Sequence, residues 1–269
     1  MVLVCIILLP LHLGFVSGKT LQIQKSTPVQ IMLDVSLSMA ATDIPPSRFS
    51  VAKSYLVDAV HHLQGYDVSL ITFSGIPFIS LPFSHDTPAI VQSLQTMSLA
   101  DFPAAPEFLG TALGDALVLG AANIHRLSAD QPGMVLLITD GDNNKGYDPA
   151  DIFSLLQKQH IAVRVLAIGQ TDYLIGYDQY QQPIVTSLNI PLLQTIAQQT
   201  SGTFLNVINT GDLQPFFASF LSAVKANEIS HISSQYRYLD EFLLIFLFIS
   251  LLVLGFMQVI ILSQYLKNK

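Results

Sequence analysis

The chain predicts an α/β domain built on a doubly wound, mostly parallel sheet with helices on both faces, followed by a C-terminal transmembrane helix. Three observations carry this. Short apolar runs, such as Val29-Gln30-Ile31-Met32-Leu33 and Met134 to Ile138, have the length and composition of strands buried on both faces. Segments with apolar residues at helical spacing alternate with those runs, the pattern of successive strand–helix units. Near the C-terminus, Phe242 to Leu262 is almost wholly apolar, with Gln258 its only strongly polar residue.

The elements follow in order. Val29 to Val35 is a buried strand. Arg48 to Leu63 is a helix, with Phe49, Ala52, Tyr55, Leu56, Ala59 and Leu63 on one face and Ser47 as N-cap after Pro45-Pro46. Val68 to Phe73 and Pro77 to Phe83 are strands joined by a turn at Gly75, so that pair is antiparallel. Thr87 to Met97 is a helix capped by Asp86. Ser98 to Gly110, with Pro103 and Pro106, is a loop leading to an Ala/Leu-rich helix from Thr111 to Ile124. Met134 to Thr139 is a strand, Pro149 to Gln159 a helix and Ala162 to Ile168 a strand. Ile190 to Thr200 is a helix ended by Gly202, Thr203 to Ile208 a short strand and Leu213 to Ala226 the last helix of the domain. Asp172 to Leu188 interrupts this alternation. It carries Tyr173, Tyr177, Tyr180 and a Gln181-Gln182-Pro183 turn, and reads either as a partner-contact hairpin or as a solubilising loop.

Of 269 residues 51% are apolar, ample for one core, and only 12% are charged against about a quarter in soluble domains. The surplus apolarity lies at the two ends. A net charge of −7 without a Lys/Arg cluster argues against a nucleic-acid surface. Cys5 is the only cysteine, which excludes intrachain disulfides and thiolate zinc sites.

The expected organisation is an N-terminal apolar segment over 1–18, a domain over 28–225, a membrane-proximal stalk over 226–241, a membrane helix over 242–263 and a short basic tail over 264–269. About 20 apolar residues span a bilayer as a helix, which residues 242–262 satisfy. Tyr236, Tyr238 and Tyr265 stand where interfacial aromatics lie. The apolar run Val2 to Val16 is shorter, and it reads either as a signal-peptide core or as a retained anchor. Lys267 and Lys269 favour a cytoplasmic C-terminus and an extracytoplasmic domain, while Lys19, Lys25 and Arg237 pull the other way.

The residues that carry chemistry lie at strand ends. Asp34-Val35-Ser36-Leu37-Ser38 leaves the first strand, Gly110-Thr111 precedes a helix and Thr139-Asp140-Gly141 ends the Met134 strand. Asp34, Ser36, Ser38, Thr111 and Asp140 form an oxygen-only donor set suited to a hard cation. Mg2+ takes about six oxygens and keeps several waters, and Mn2+ or Ca2+ accept similar donors. In open α/β sheets, ligands bind at the carboxyl ends of strands near the switch in strand order.

These five residues, in type, order and context, resemble the von Willebrand factor A (VWA) domain with its metal-ion-dependent adhesion site, over about residues 28–225. The resemblance implies that the hydroxyls of Ser36, Ser38 and Thr111 bind the ion directly and that Asp34 and Asp140 act mostly through water. The ion then stays electrophilic, and a carboxylate from a protein partner completes its shell. The position between the two serines is commonly Gly in that family and is Leu37 here, a side chain expected to crowd the site or shift its loop. Asp43 and Asp142 read as solvated loop acids.

A narrower resemblance is to bacterial BatA/BatB aerotolerance proteins. It rests on Asp34 to Asp43 with Arg48 and Ala52-Lys53, on Phe73 to Phe78, on Gly110 to Ala116, on Thr139 to Asn144 and on the closing apolar segment after Tyr236-Arg237-Tyr238. It implies a membrane-anchored VWA protein partnered with a MoxR-type AAA+ ATPase and other Bat proteins; the expected location is the bacterial inner membrane, single- or double-pass, with the terminal lysines favouring an extracytoplasmic VWA domain. Those relatives often carry two N-terminal apolar segments, and this chain has one.

Catalysis finds less support. No Gly-x-Ser-x-Gly elbow and no Gly-rich phosphate loop are present. His61 and His62 are adjacent on a helix and point about 100° apart, so they cannot easily share a metal. The expected function is therefore a membrane-anchored, non-enzymatic partner-binding module, a scaffold in an envelope complex. The alternatives are a Mg2+-dependent hydrolase or phosphotransferase, with Asp34 as a conceivable acceptor, and an outward-facing adhesin.

Overall fold

The computed structural model describes residues 27–102, 105–128, 131–177, 180–186, 188–207, 211, 213–226, 252–260 and 263. The chain divides into two compact units, Met1–Val224 and Lys225–Lys269.

In the first unit the strands are β1 (Val29–Asp34), β2 (Val68–Phe73), β3 (Pro77–Ser84), β4 (Met134–Thr139), β5 (Ala162–Ile168), β6 (Tyr173–Tyr177), β7 (Pro183–Thr186) and β8 (Phe204–Val207). The helices are α1 (Arg48–His61), α2 (Thr87–Thr96), α3 (Leu113–Leu127), α4 (Pro149–Lys158), α5 (Ile190–Gln199) and α6 (residues 213–226). Six strands form one sheet in the order β3-β2-β1-β4-β5-β8, and β6 and β7 form a separate hairpin. All pairings in the large sheet are parallel except β2 with β3.

Every residue of β1, β2 and β4 is buried, because helices cover both faces of the sheet. Alternate side chains of β1 divide between the faces. Val29, Ile31 and Leu33 pack with α1, α2 and the α6 residues Phe216, Phe217 and Phe220. Met32 packs with α3, α4 and α5. This period of two is the pleat of the strand expressed as two cores. Gln30 is the buried polar exception, and its amide is satisfied by Asn123, Ser69 and Ile31.

The capping expected from sequence is present. Ser47 accepts from the Ser50 amide at the start of α1, and Asp86 from Ala89 at the start of α2. Asp148 and Asn189 do the same for α4 and α5. Helix α3 begins at Leu113, two residues later than its apolar pattern predicts, because the backbone of Thr111 is bonded elsewhere.

The apolar segment 1–18, and the stalk and membrane helix expected over 226–241 and 242–263, lie outside the described residues except for 226, 252–260 and 263. Residues 252–260 are helical, and Leu252, Val253, Phe256, Met257, Val259 and Ile260 are exposed. Among the described residues, no helix is long and apolar enough to cross a membrane.

Candidate metal centre

The chain runs outward from β1 through β2 to β3, then returns to the other side of β1 with β4, β5 and β8. The switch in direction falls between β1 and β4, so their carboxyl ends flank the crevice of the sheet. Asp34 ends β1 and Asp140 follows β4, and both are fully buried.

The Asp34 carboxylate is held from two sides. The Ser36 amide donates to Oδ1 at 2.9 Å, and the Thr139 hydroxyl donates to Oδ2 at 2.6 Å. Burial and the adjacent charge of Asp140 push its pKa up to about 7, against the lowering effect of the Ser36 and Thr139 hydrogen bonds. Two buried acids competing for one negative charge are a place where a cation relieves strain.

Ser36 precedes a 3₁₀ turn, Leu37–Ala40, but its side chain makes no capping bond. Its hydroxyl meets that of Ser38 at 2.9 Å instead, so the two oxygens lie side by side. Thr111 reaches the same edge through backbone bonds. Ala112 N–H donates to the Ser74 carbonyl just beyond β2, and the Thr111 carbonyl accepts from Asn144 and Lys145 in the loop after β4. Asn144 Oδ1 accepts from the Thr111 amide at 2.8 Å. Gly110 has φ +90°, and a Cβ there would meet Asn144 Oδ1, so this approach needs glycine. Asn143 Oδ1 accepts from Leu113 and Gly114 and so caps α3, whose own N-cap position is Ala112.

The loop before α3 is bonded to the loop after β4 and to Ser74 beyond β2, and β1 and β4 lie side by side; these segments carry Ser36, Ser38, Thr111 and Asp140, with Asp34 ending β1. Among the described residues, no group of three or more His, Cys, Asp or Glu is placed to hold a metal. A cation in this crevice would rely on three hydroxyls and two carboxylates. That donor chemistry fits a hard, oxygen-seeking ion.

Residues 29–143 match the family model of the von Willebrand factor type A domain. Residues 29–143 form a VWA-type domain. Two solved structures resemble it at 29% sequence identity and TM-score 0.61, each covered over 99% of its length. One is the conserved hypothetical protein BatB from Bacteroides thetaiotaomicron, aligned with 77% of this chain. The other is an aerotolerance-related membrane protein from Bacteroides fragilis, aligned with 76%. A UPF0353 protein of Mycolicibacterium paratuberculosis is 24% identical over 226 residues, 77% of this chain. The chain spans 67% of that protein's length and 58% of the next such relative's.

Leu37 turns outward and is 62% exposed, because the 3₁₀ turn directs Met39, not Leu37, into the core. One expectation about the VWA site is corrected: Asp43 is not a solvated acid. Its side chain is fully buried and paired with Arg48, whose Nη2 lies 2.7 Å from Oδ2. Burial alone would raise the Asp43 pKa, but the Arg48 hydrogen bonds, the Gln170 amide and the Arg48 charge hold it below the usual carboxylate range. Asp142 is half-buried, and burial together with the charge of Asp140 raises its pKa.

Sequence reasoning missed the reach of Arg48. This fully buried guanidinium also donates from Nη1 to Asp140 Oδ2 at 2.9 Å. The available signal was an arginine five residues after Asp43 on the buried face of an amphipathic helix. Asn143 and Asn144 were visible as part of a motif, but their roles as cap and Thr111 anchor were not.

The segment after β5 forms an antiparallel hairpin, β6 with β7. Leu174, Tyr177 and Val185 on it are exposed. So are Leu109 beside Thr111 and Tyr147 beyond Asp140. An open cavity of about 560 Å3 adjoins these loops, lined by Asn143, Asn144, Lys145, Asp148, Asn189 and Leu192 among others.

Proposed function

We propose that this VWA domain captures a protein partner through a divalent cation, Mg2+ by preference, held by Asp34, Ser36, Ser38, Thr111 and Asp140. The observation that carries this reading is the buried Asp34–Asp140 pair beside the Ser36 and Ser38 hydroxyls, at the switch point of the sheet. Once bound, the cation supplies a Lewis-acidic position that a partner carboxylate completes. The chain's own residues prepare for it. Thr139 and the Ser36 amide orient Asp34, Asn144 fixes the Thr111 loop, and Arg48 holds one oxygen of Asp140. Exposed Leu37 and Leu109, each within two residues of a donor in the sequence, give a partner apolar surface to cover.

A phosphotransfer role for Asp34 is less well supported, because both its oxygens already accept hydrogen bonds from within the domain. The likeness to BatB and to an aerotolerance-related membrane protein supports anchoring in a bacterial inner membrane by residues 242–263, with the domain extracytoplasmic. On this reading the protein is a scaffold in an envelope complex, and its partners are other Bat proteins and a MoxR-type AAA+ ATPase.

The test is affinity capture from detergent-solubilised membranes, with and without chelator, using the wild type and Asp34→Ala. Circular dichroism serves as a control for folding. Capture lost on chelation and in the folded variant supports the cation bridge. Capture that survives both removes it.

A further inference from the structure

The side chain of Arg48 ties three segments together. Its Nε and Nη2 donate to Asp43 in the loop after β1, and its Nη1 donates to Asp140 after β4. The same Nη1 donates to Thr186 Oγ1 at 2.9 Å, in the closing strand of the β6–β7 hairpin. The Thr186 hydroxyl in turn donates to Asp140 Oδ2 at 3.3 Å. Arg48, Asp140 and Thr186 thus form a buried ring in which each contacts the other two.

The opening side of the hairpin is tied to the same region. Tyr173 OH and Thr42 Oγ1 lie 3.0 Å apart, and the Gln170 amide donates to Asp43 Oδ2 at 2.7 Å. Thr42 and Asp43 belong to the loop that carries Ser36 and Ser38. The guanidinium has room only because residue 169 is glycine. A Cβ at Gly169, where φ is +136°, would stand 2.5 Å from Arg48 Cζ. Both strands of the hairpin are therefore bonded, directly or through one side chain, to the two loops that hold the acids and serines.

We propose that Arg48 and Thr186 couple the hairpin to the cation site, so that an ion on the Asp34–Asp140 pair orders the hairpin and a partner gripping the hairpin tightens the ion. This rests on the cation-binding reading above. The physical basis is a shared acceptor. Asp140 Oδ2 receives both Arg48 and Thr186, so anything that fixes the Asp140 carboxylate also fixes the hairpin's anchor. The ordering cost is met once for both events, and the coupling is reciprocal by linkage. Arg48 and Thr186 are positioning residues here, acting on the ion through Asp140. The exposed Leu174, Tyr177 and Val185 make the hairpin a grip for an apolar surface of the same partner.

The test uses the full chain in detergent, as wild type, Thr186→Val and Thr186→Ser. Calorimetric titration with Mg2+ and amide hydrogen exchange are run on the same samples, the latter with Mg2+ and with chelator. In the wild type, Mg2+ slows exchange across β6 and β7. Thr186→Val abolishes that slowing and weakens Mg2+ binding about tenfold, within the usual range of coupling between sites. Thr186→Ser keeps the hydroxyl and restores both. Comparing each variant with itself, with and without Mg2+, separates coupling from a general loss of stability. Mg2+ heat without any change in hairpin exchange overturns the coupling and leaves the cation reading standing. So does a Thr186→Val variant that keeps both responses. No heat with Mg2+, Mn2+ or Ca2+ overturns the cation reading, and the coupling falls with it.

Discussion

Asp34 and Asp43 show how the same side chain takes opposite roles in one crevice. Asp34, buried beside Asp140, holds its proton up to about pH 7, whereas the unfolded chain releases it near 3.8. Between those values the fold binds more protons than the unfolded chain, so this group's contribution to stability is lost as pH rises through 7. Asp43, held by Arg48, is shifted down, and its contribution is lost as pH falls below the ordinary carboxylate value of 3.8. Thermal melts in chelator are therefore expected to show a lower midpoint at about pH 7.5 than at about pH 5. Mg2+ should raise the midpoint more at the higher pH, where Asp34 has no proton to displace. Replacing Arg48 by Met leaves two buried carboxylates without their cation and is expected to cost about 3–5 kcal/mol in denaturant unfolding. Leu37→Gly should leave cation affinity within about twofold, because that side chain faces solvent and exposed substitutions are mostly nearly neutral.

At the scale of elements, periodicity made most of the sheet and helices legible. The buried runs became β1, β2 and β4, the Gly75 turn joined an antiparallel pair, and Ser47 and Asp86 capped where local chemistry places them. The start of α3 was not legible to the residue. Its first turn is capped from another loop by Asn143, and Thr111 is held out of the helix by Asn144. Asn144→Ala removes the partner of the buried Thr111 amide, a loss of about 1–3 kcal/mol in stability. It is expected to weaken Mg2+ binding in a calorimetric titration more than Ser47→Ala, which removes only the α1 cap and costs about 1 kcal/mol.

For the whole molecule, the sheet order itself builds the site. Only the return from β3 across β1 to β4 sets the ends of β1 and β4 side by side, so that Asp34 and Asp140 flank one crevice. On the proposed anchoring by residues 242–263, the protein should sediment with membranes and resist high-salt and alkaline extraction, yielding only to detergent. Fractionation followed by protease accessibility in intact cells checks both the anchoring and the side on which the VWA domain stands.

The sequence by itself determined the fold class and the strand ends at which the oxygen-bearing residues stand, because burial and pleat impose short-range patterns that a chain displays in its own order. The tertiary structure alone decided what surrounds those residues. Arg48 meets Asp140 across 92 positions and Thr186 across 138, and no local period encodes such distances. It also decided that Leu37 faces outward while Asp43 is buried. Both depend on which way a single loop turns after β1, and that turn is set by the segments packed against it.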